Sequence, residues 1–151
     1  MRKFSFGFAA LAMVAGTACI ALAAPHQAVV AGTMNAAQAG MTFKFNAIGG
    51  GIQKGTVTLV PMGEKTKVTI ALTGEPVGAV EPSHVHKGDC AHPGAVIYPL
   101  TDVVAGSSVT VVNAPISKIA VAGDSVNVHK SAAQLNLYMS CANLGNPPSS
   151  M

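Results

Sequence analysis

From residue 41 to residue 142 the chain runs in short apolar and polar alternations, separated by glycine and proline. Thr56-Val57-Thr58-Leu59-Val60 is a β-branched run that closes at Pro61. After the turn-like Met62-Gly63-Glu64-Lys65, the segment Lys67–Thr73 sets Val68, Ile70 and Leu72 on one face. Two alternating runs with so short a connection predict a β-hairpin. Met41–Ile48 alternates loosely and is broken by Gly49-Gly50-Gly51. Gly74–Pro82 is rich in turn residues and leads into Ser83–Lys87. Ala95–Leu100, Ser107–Val112, Asp124–His129 and Leu135–Ala142 are further strand candidates. Strands at roughly ten-residue spacing predict an all-β sandwich or barrel of about eight strands. No segment downstream of residue 24 sustains a helical period, and Ala31–Gly40 supports at most a turn or short helix. There is no internal repeat.

The N-terminus has a different pattern. Met1-Arg2-Lys3 is a short basic start, and Phe4–Ala23 is an uncharged run rich in Ala, Gly, Phe and Leu. Ala21-Leu22-Ala23 ends it with small residues two apart, as signal peptidase requires. Residues 1–23 therefore read as a secretory signal cut near Ala23 or Ala24. A retained anchor helix is the competing reading, weakened by the Gly, Ser and Thr content of a run only just long enough to span a bilayer. A lipoprotein cut before Cys19 would want Leu where Gly16 stands. Export predicts a periplasmic or extracellular protein with no membrane association after cleavage. Residues 24–54 then read as a linker with the first strand or strands of the domain, and 146–151 as a flexible tail. Pro25-His26 does not make an amino-terminal copper site, because proline lacks the amide such a site deprotonates.

Composition narrows the function. Half the residues are hydrophobic, a tenth are charged and there is no Trp. Without residues 1–23 the chain has no Arg, and seven lysines face six carboxylates. That balance carries no nucleic-acid footprint, and without Arg no planar fork is present to read phosphates or bases. No serine sits in a nucleophile elbow, and the carboxylates form no obvious pair, which leaves a hydrolase little support.

With Cys19 removed in the signal, Cys90 and Cys141 remain, an even count in an oxidising compartment. A bridge between them closes a loop of about fifty residues and contributes about 3–4 kcal/mol in the loop-entropy picture. The other reading is two free buried thiols. Four histidines lie in the second half: His84, His86, His92 and His129. On a strand, His84 and His86 share a face and Val85 takes the other. In Val126-Asn127-Val128-His129 the valines share one face and His129 lies opposite. Three imidazoles on the outer faces of apolar strands converge if those strands are neighbours, and a three-nitrogen set suits copper or zinc. The bland alternative is a set of solvated surface histidines on a metal-free module.

His84-Val85-His86-Lys87-Gly88-Asp89-Cys90, with Gly55-Thr56-Val57-Thr58-Leu59 before it, resembles the copper/zinc superoxide dismutase family. Asp124-Ser125-Val126-Asn127-Val128-His129 and Ser140-Cys141-Ala142-Asn143-Leu144 extend the resemblance, which covers residues 55–145. It implies a Greek-key β-barrel, copper ligation by His84, His86 and His129, and a Cys90–Cys141 disulfide. Departures from the family pattern are equally specific. His92 lies only two residues past Cys90, so it enters as a candidate fourth ligand and not as a clear equivalent of the family's bridging histidine. Pro93-Gly94 leads directly into the next strand, so a zinc loop is missing and zinc is not expected. Tyr138 stands where the family places an Arg that guides superoxide. Lys87 and Lys130, each next to a candidate ligand, are weak candidates to replace that charge, and Asp89 and Asp102 to orient a ligand histidine.

These readings combine into an exported copper-binding protein that holds one copper through three histidines on a superoxide-dismutase-like domain. A copper-only superoxide dismutase is the alternative from the enzyme class, with superoxide as its substrate. A metal-free binding or structural module is the third, and a three-histidine zinc hydrolase ranks below it.

Overall fold

The computed structural model describes residues 40–145. The segment 1–23 expected as a secretory signal, with Cys19, and likewise His26, the stretch 31–39 and the tail 146–151 lie outside the described residues. Among the described residues no helix is long and apolar enough to cross a membrane.

The hairpin expected from the sequence is present as β2 (Lys54–Met62) and β3 (Lys65–Thr73), paired from Lys54↔Thr73 to Met62↔Lys65. Its two-residue connection is Gly63-Glu64, and Gly63 has φ +65°, the positive value that a tight hairpin asks of its first turn residue. Val57 and Leu59 on β2 and Val68, Ile70 and Leu72 on β3 are buried on the inner face, so the alternation in the sequence is the alternation between core and surface.

β1 (Met41–Ala47) is a seam. Its residues 41–45 pair with β2, and Asn46 and Ala47 pair with Cys141 and Ser140 of β10 (Tyr138–Asn143). The remaining strands are β4 (Val80–Glu81), β5 (Ser83–His86), β6 (Val96–Pro99), β7 (Val103–Val104), β8 (Ser107–Val112) and β9 (Ser125–His129). All pairings are antiparallel, in the order β4-β7-β8-β3-β2-β1-β10-β9-β5-β6. β3 lies beside β8 and not beside β4, so the chain crosses the end of the sheet, the long return of a Greek key. β4 and β5 stand near opposite ends of that order yet are separated in sequence by Pro82 alone. The curled sheet is thus bridged by the chain itself: β4 pairs with β7, β5 with β9, and the proline that interrupts them still accepts a hydrogen bond from the His129 amide at 2.8 Å.

Among the described residues there are ten strands where about eight were expected, because two-residue pairings at Val80–Glu81 and Val103–Val104 are too short to show a period. One helical turn, α1 (Ile116–Ile119), buries Ile119 against the core and is likewise too short for a helical signature. The core unites Phe43, Phe45, Val57, Leu59, Ile70, Val85, Val126 and Val128 between the curled faces. Cys90 and Cys141 are bonded, and at a separation of 51 residues the bridge constrains the unfolded chain by about 4 kcal/mol in the loop-entropy picture.

One buried polar pair interrupts the core. Gln53 Nε2 donates to both carboxylate oxygens of Glu81 at 2.6 and 2.8 Å, while Gln53 Oε1 has no partner. Burial holds the Glu81 carboxyl above its ordinary 4.5; the Gln53 hydrogen bond opposes this and the charge of Glu75 adds to it. The folded chain therefore holds this proton more tightly than the unfolded chain. The stability it contributes is complete below pH 4.5 and is lost as pH rises through the raised value. Glu81→Gln removes the buried charge and offers an N–H to the orphaned Gln53 oxygen. It is expected to raise stability at neutral pH by about 1 kcal/mol, the low end of what an unpaired buried polar atom costs, and to flatten the fall in stability with pH. Urea unfolding of both proteins across the acid-to-neutral range measures this, and an unchanged pH slope would contradict it.

Candidate metal centre

β5 and β9 are adjacent and antiparallel, in the register Ser83↔Val128, His84↔Asn127, Val85↔Val126 and His86↔Ser125. Val85, Val126 and Val128 are fully buried in the core, so His84, His86, Ser125, Asn127 and His129 share the opposite face. The strand periods in the sequence give this facing correctly. They do not show that loops cover the face: His86 and His129 are 3% and 2% exposed, and only His84 is half-buried.

The three rings converge. His84 Nδ1 is 3.0 Å from His129 Nε2, and His86 Nε2 is 3.3 Å from the same atom. One nitrogen from each ring lies within 4.8 Å of the others, the spacing of a single ion's ligand set. The outward nitrogens of two rings are committed elsewhere. His86 Nδ1 donates to the Gly94 carbonyl at 2.9 Å, and His129 Nδ1 donates to the Leu135 carbonyl. A carbonyl only accepts, so each Nδ1 carries the proton and each neutral ring turns an Nε2 lone pair inward. Two lone pairs 3.3 Å apart repel unless a cation lies between them, and this donor set therefore fits a bound metal ion. Burial keeps His84 neutral to a lower pH than an ordinary imidazole; the nearby His86 adds to that, and Asp102 opposes it. His129 is lowered likewise, by burial first, against the Leu135 hydrogen bond and with His84 and His86 adding. Neutral rings are what metal ligation requires.

The other candidate residues are placed as follows. His92 is outside the cluster, 87% exposed, with Nδ1 3.3 Å from Asp89 Oδ1. Asp89 accepts from the amides of Ala91 and His92 and so caps the turn past Cys90; it does not reach a ligand ring. The Lys87 ammonium is 3.0 Å from Oδ1 of buried Asp124, which also accepts from the Gly88 amide and holds that loop on β9. Lys130 lines a cleft of about 320 Å³ together with Ile48, Asn136, Leu137, Tyr138 and Met139. Tyr138 is that cleft's wall towards the cluster, its ring centroid 4.7 Å from His129 and 5.9 Å from His86. A β-bulge between Tyr138 and Ser140 brings Tyr138 opposite His129. The Gly94 and Leu135 carbonyls left no trace in the sequence, because a backbone acceptor has no side-chain signature. Asn127 was open to detection as the polar residue two before His129 on the same face.

No protein-family model and no curated protein sequence matches the chain. Among solved structures it is similar to superoxide dismutase 5 of Candida albicans, a Cu(II) structure. The likeness has a TM-score of 0.52 at 16% identity and covers 74% of this chain and 94% of that one. At that identity the likeness is one of fold: a superoxide-dismutase-like barrel. The three-histidine cluster and the Cys90–Cys141 disulfide fit the same copper/zinc superoxide-dismutase-like class.

A Cβ on Gly94 would stand 2.8 Å from the Lys87 carbonyl oxygen, a distance side-chain carbons essentially never adopt. Gly94→Ala must therefore displace the carbonyl that fixes His86. It is expected to lower metal affinity by about 10–100-fold, the usual effect of losing an outer hydrogen-bond partner of a ligand. Calorimetric titration with copper checks this, and an affinity equal to wild type would contradict it.

Proposed function

We propose that this is an exported copper-binding protein, periplasmic or extracellular, that holds one copper ion through His84 Nδ1, His86 Nε2 and His129 Nε2. The observation that carries the reading is the inward convergence of these nitrogens, with two of the three rings locked in tautomer by carbonyls. Neutral imidazoles are ligands for copper and zinc alike, and copper(II) has the greater intrinsic affinity for nitrogen sites. The Cu(II) in the similar Candida structure supports the same choice. Export is supported by the basic start, the apolar run to Ala23 and a disulfide, which persists in oxidising compartments.

The protein's own residues hold and shield the ion. The Gly94 and Leu135 carbonyls orient two ligands, and the tyrosine ring of Tyr138 covers the His129 side. Half-buried His84 marks the side open to small molecules. Copper supplies one-electron chemistry when bound. Superoxide dismutation is accordingly the second reading, favoured by the name of the similar structure and by Lys130 in the adjoining cleft. Against it stands the Lys87–Asp124 pairing, which neutralises the other nearby cation, so the field that would draw in an anion is weak.

The disulfide-bonded protein is expected to bind one Cu(II) per chain. His129→Ala is expected to cost more than the ~100-fold typical of an outer partner, because a ligand itself is lost. Titration of both proteins, with a dismutation assay on the same loaded samples, separates the readings. A rate no greater than that of free aqueous copper supports the binding protein, and a faster rate that chelation abolishes supports the enzyme. Copper affinity unaffected by His129→Ala would overturn the site.

A further inference from the structure

The face that carries the three histidines has Asn127 at its centre. Its partner across β5 is His84, its partner across β10 is Cys141, and His129 follows two residues along the same strand. Asn127 is 0% exposed. Its carboxamide orientation is set by a short relay. Ser125 Oγ donates its one proton to the Gly88 carbonyl at 2.8 Å, so towards Asn127 it can only accept. Asn127 Nδ2 is therefore the atom at 3.1 Å from Ser125 Oγ, and the amide cannot be flipped without placing two acceptors together. Oδ1 is left on the other branch of the fork, directed away from Ser125, buried and without any hydrogen-bond partner.

An unpaired buried amide oxygen costs about 1–3 kcal/mol, and this one is fixed by the relay on the strand face that carries the ligand rings, at the register position opposite His84. Resting on the three-histidine reading above, we infer that Asn127 Oδ1 is a fourth, oxygen donor to the bound copper, offered from the strand beneath the ring nitrogens. A hard oxygen donor favours Cu(II) over Cu(I), which is content with fewer and softer ligands. Asn127 thus sets the balance between the two oxidation states and biases the site towards holding the oxidised ion.

The test uses the disulfide-bonded protein and two substitutions. Asn127→Leu keeps the approximate shape and removes the oxygen. Asn127→Asp keeps an oxygen and removes the amide N–H. In Asn127→Leu, Cu(II) affinity is expected to fall about tenfold, a modest effect for a metal site, while Cu(I) affinity stays within about twofold of wild type. The reduction potential then rises by about 59 mV, the one-electron equivalent of a factor of ten. Asn127→Asp is expected to bind Cu(II) at least as tightly as wild type, with a potential at or below the wild-type value. Packing damage alone would weaken both oxidation states together, so equal losses in Asn127→Leu would overturn the inference. So would an unmoved potential, or an Asp variant that behaves like the Leu variant. If wild type binds copper and His129→Ala does not, while Asn127→Leu leaves the potential unmoved, the three-histidine site stands and only the oxygen donor is removed. A wild-type protein that binds no copper overturns both.

Discussion

The register of β5 on β9 is the constraint on which the rest of this structure depends. Because side chains alternate along a strand, His84↔Asn127 and Val85↔Val126 assign imidazoles to one face and valines to the other in a single step. A slip by one residue would send two histidines into the core and Val85 to the surface, losing both the apolar burial and the cluster. The same pairings that bury Val85, Val126 and Val128 therefore assemble the three-histidine cluster, and the cluster is stabilised by the core beneath it. Pro82 helps to fix this register, since its carbonyl takes the His129 amide just beyond the last ladder pair and holds the distant histidine level with the other two.

Register alone brings the rings together without aiming them. Aiming comes from loops that lie over the outer face. The loop 87–94 is fastened at three points: Asp124 holds Lys87 and Gly88, Ser125 holds Gly88, and the disulfide holds Cys90 to β10. Its far end presents the Gly94 carbonyl to His86. The segment after β9 turns back so that Leu137 O receives the Lys130 amide, and it presents the Leu135 carbonyl to His129. Both devices spend a backbone acceptor to fix a tautomer, the common way of turning a flexible imidazole into a directed ligand.

How much of this was legible in the sequence follows from the kind of interaction concerned. The long hairpin β2–β3, the short alternating strands and the facing of His84, His86 and His129 depend on a period of two, which side-chain types display. The disulfide followed from cysteine parity and from the family resemblance, and it is present. Val80–Glu81 and Val103–Val104 escaped notice because two residues have no period, and α1 because one turn has none. The burial of the histidine face was illegible for another reason. It arises from the loops that follow β5 and β9 and fold back over the face, whose contacts are made by Gly94 and Leu135 main-chain oxygens that any residue possesses. The separation of His92 from the cluster likewise depends on the turn at Asp89, where the amides of Ala91 and His92 occupy the carboxylate.

The central claim is that three particular nitrogens meet at one ion. Anomalous scattering at the copper edge from crystals of the copper-loaded, disulfide-bonded protein tests it most directly. The account predicts one strong peak about 2 Å, the usual metal–imidazole distance, from His84 Nδ1, His86 Nε2 and His129 Nε2. A peak at His92 instead, or one reached through the opposite ring nitrogens of His86 and His129, would contradict it.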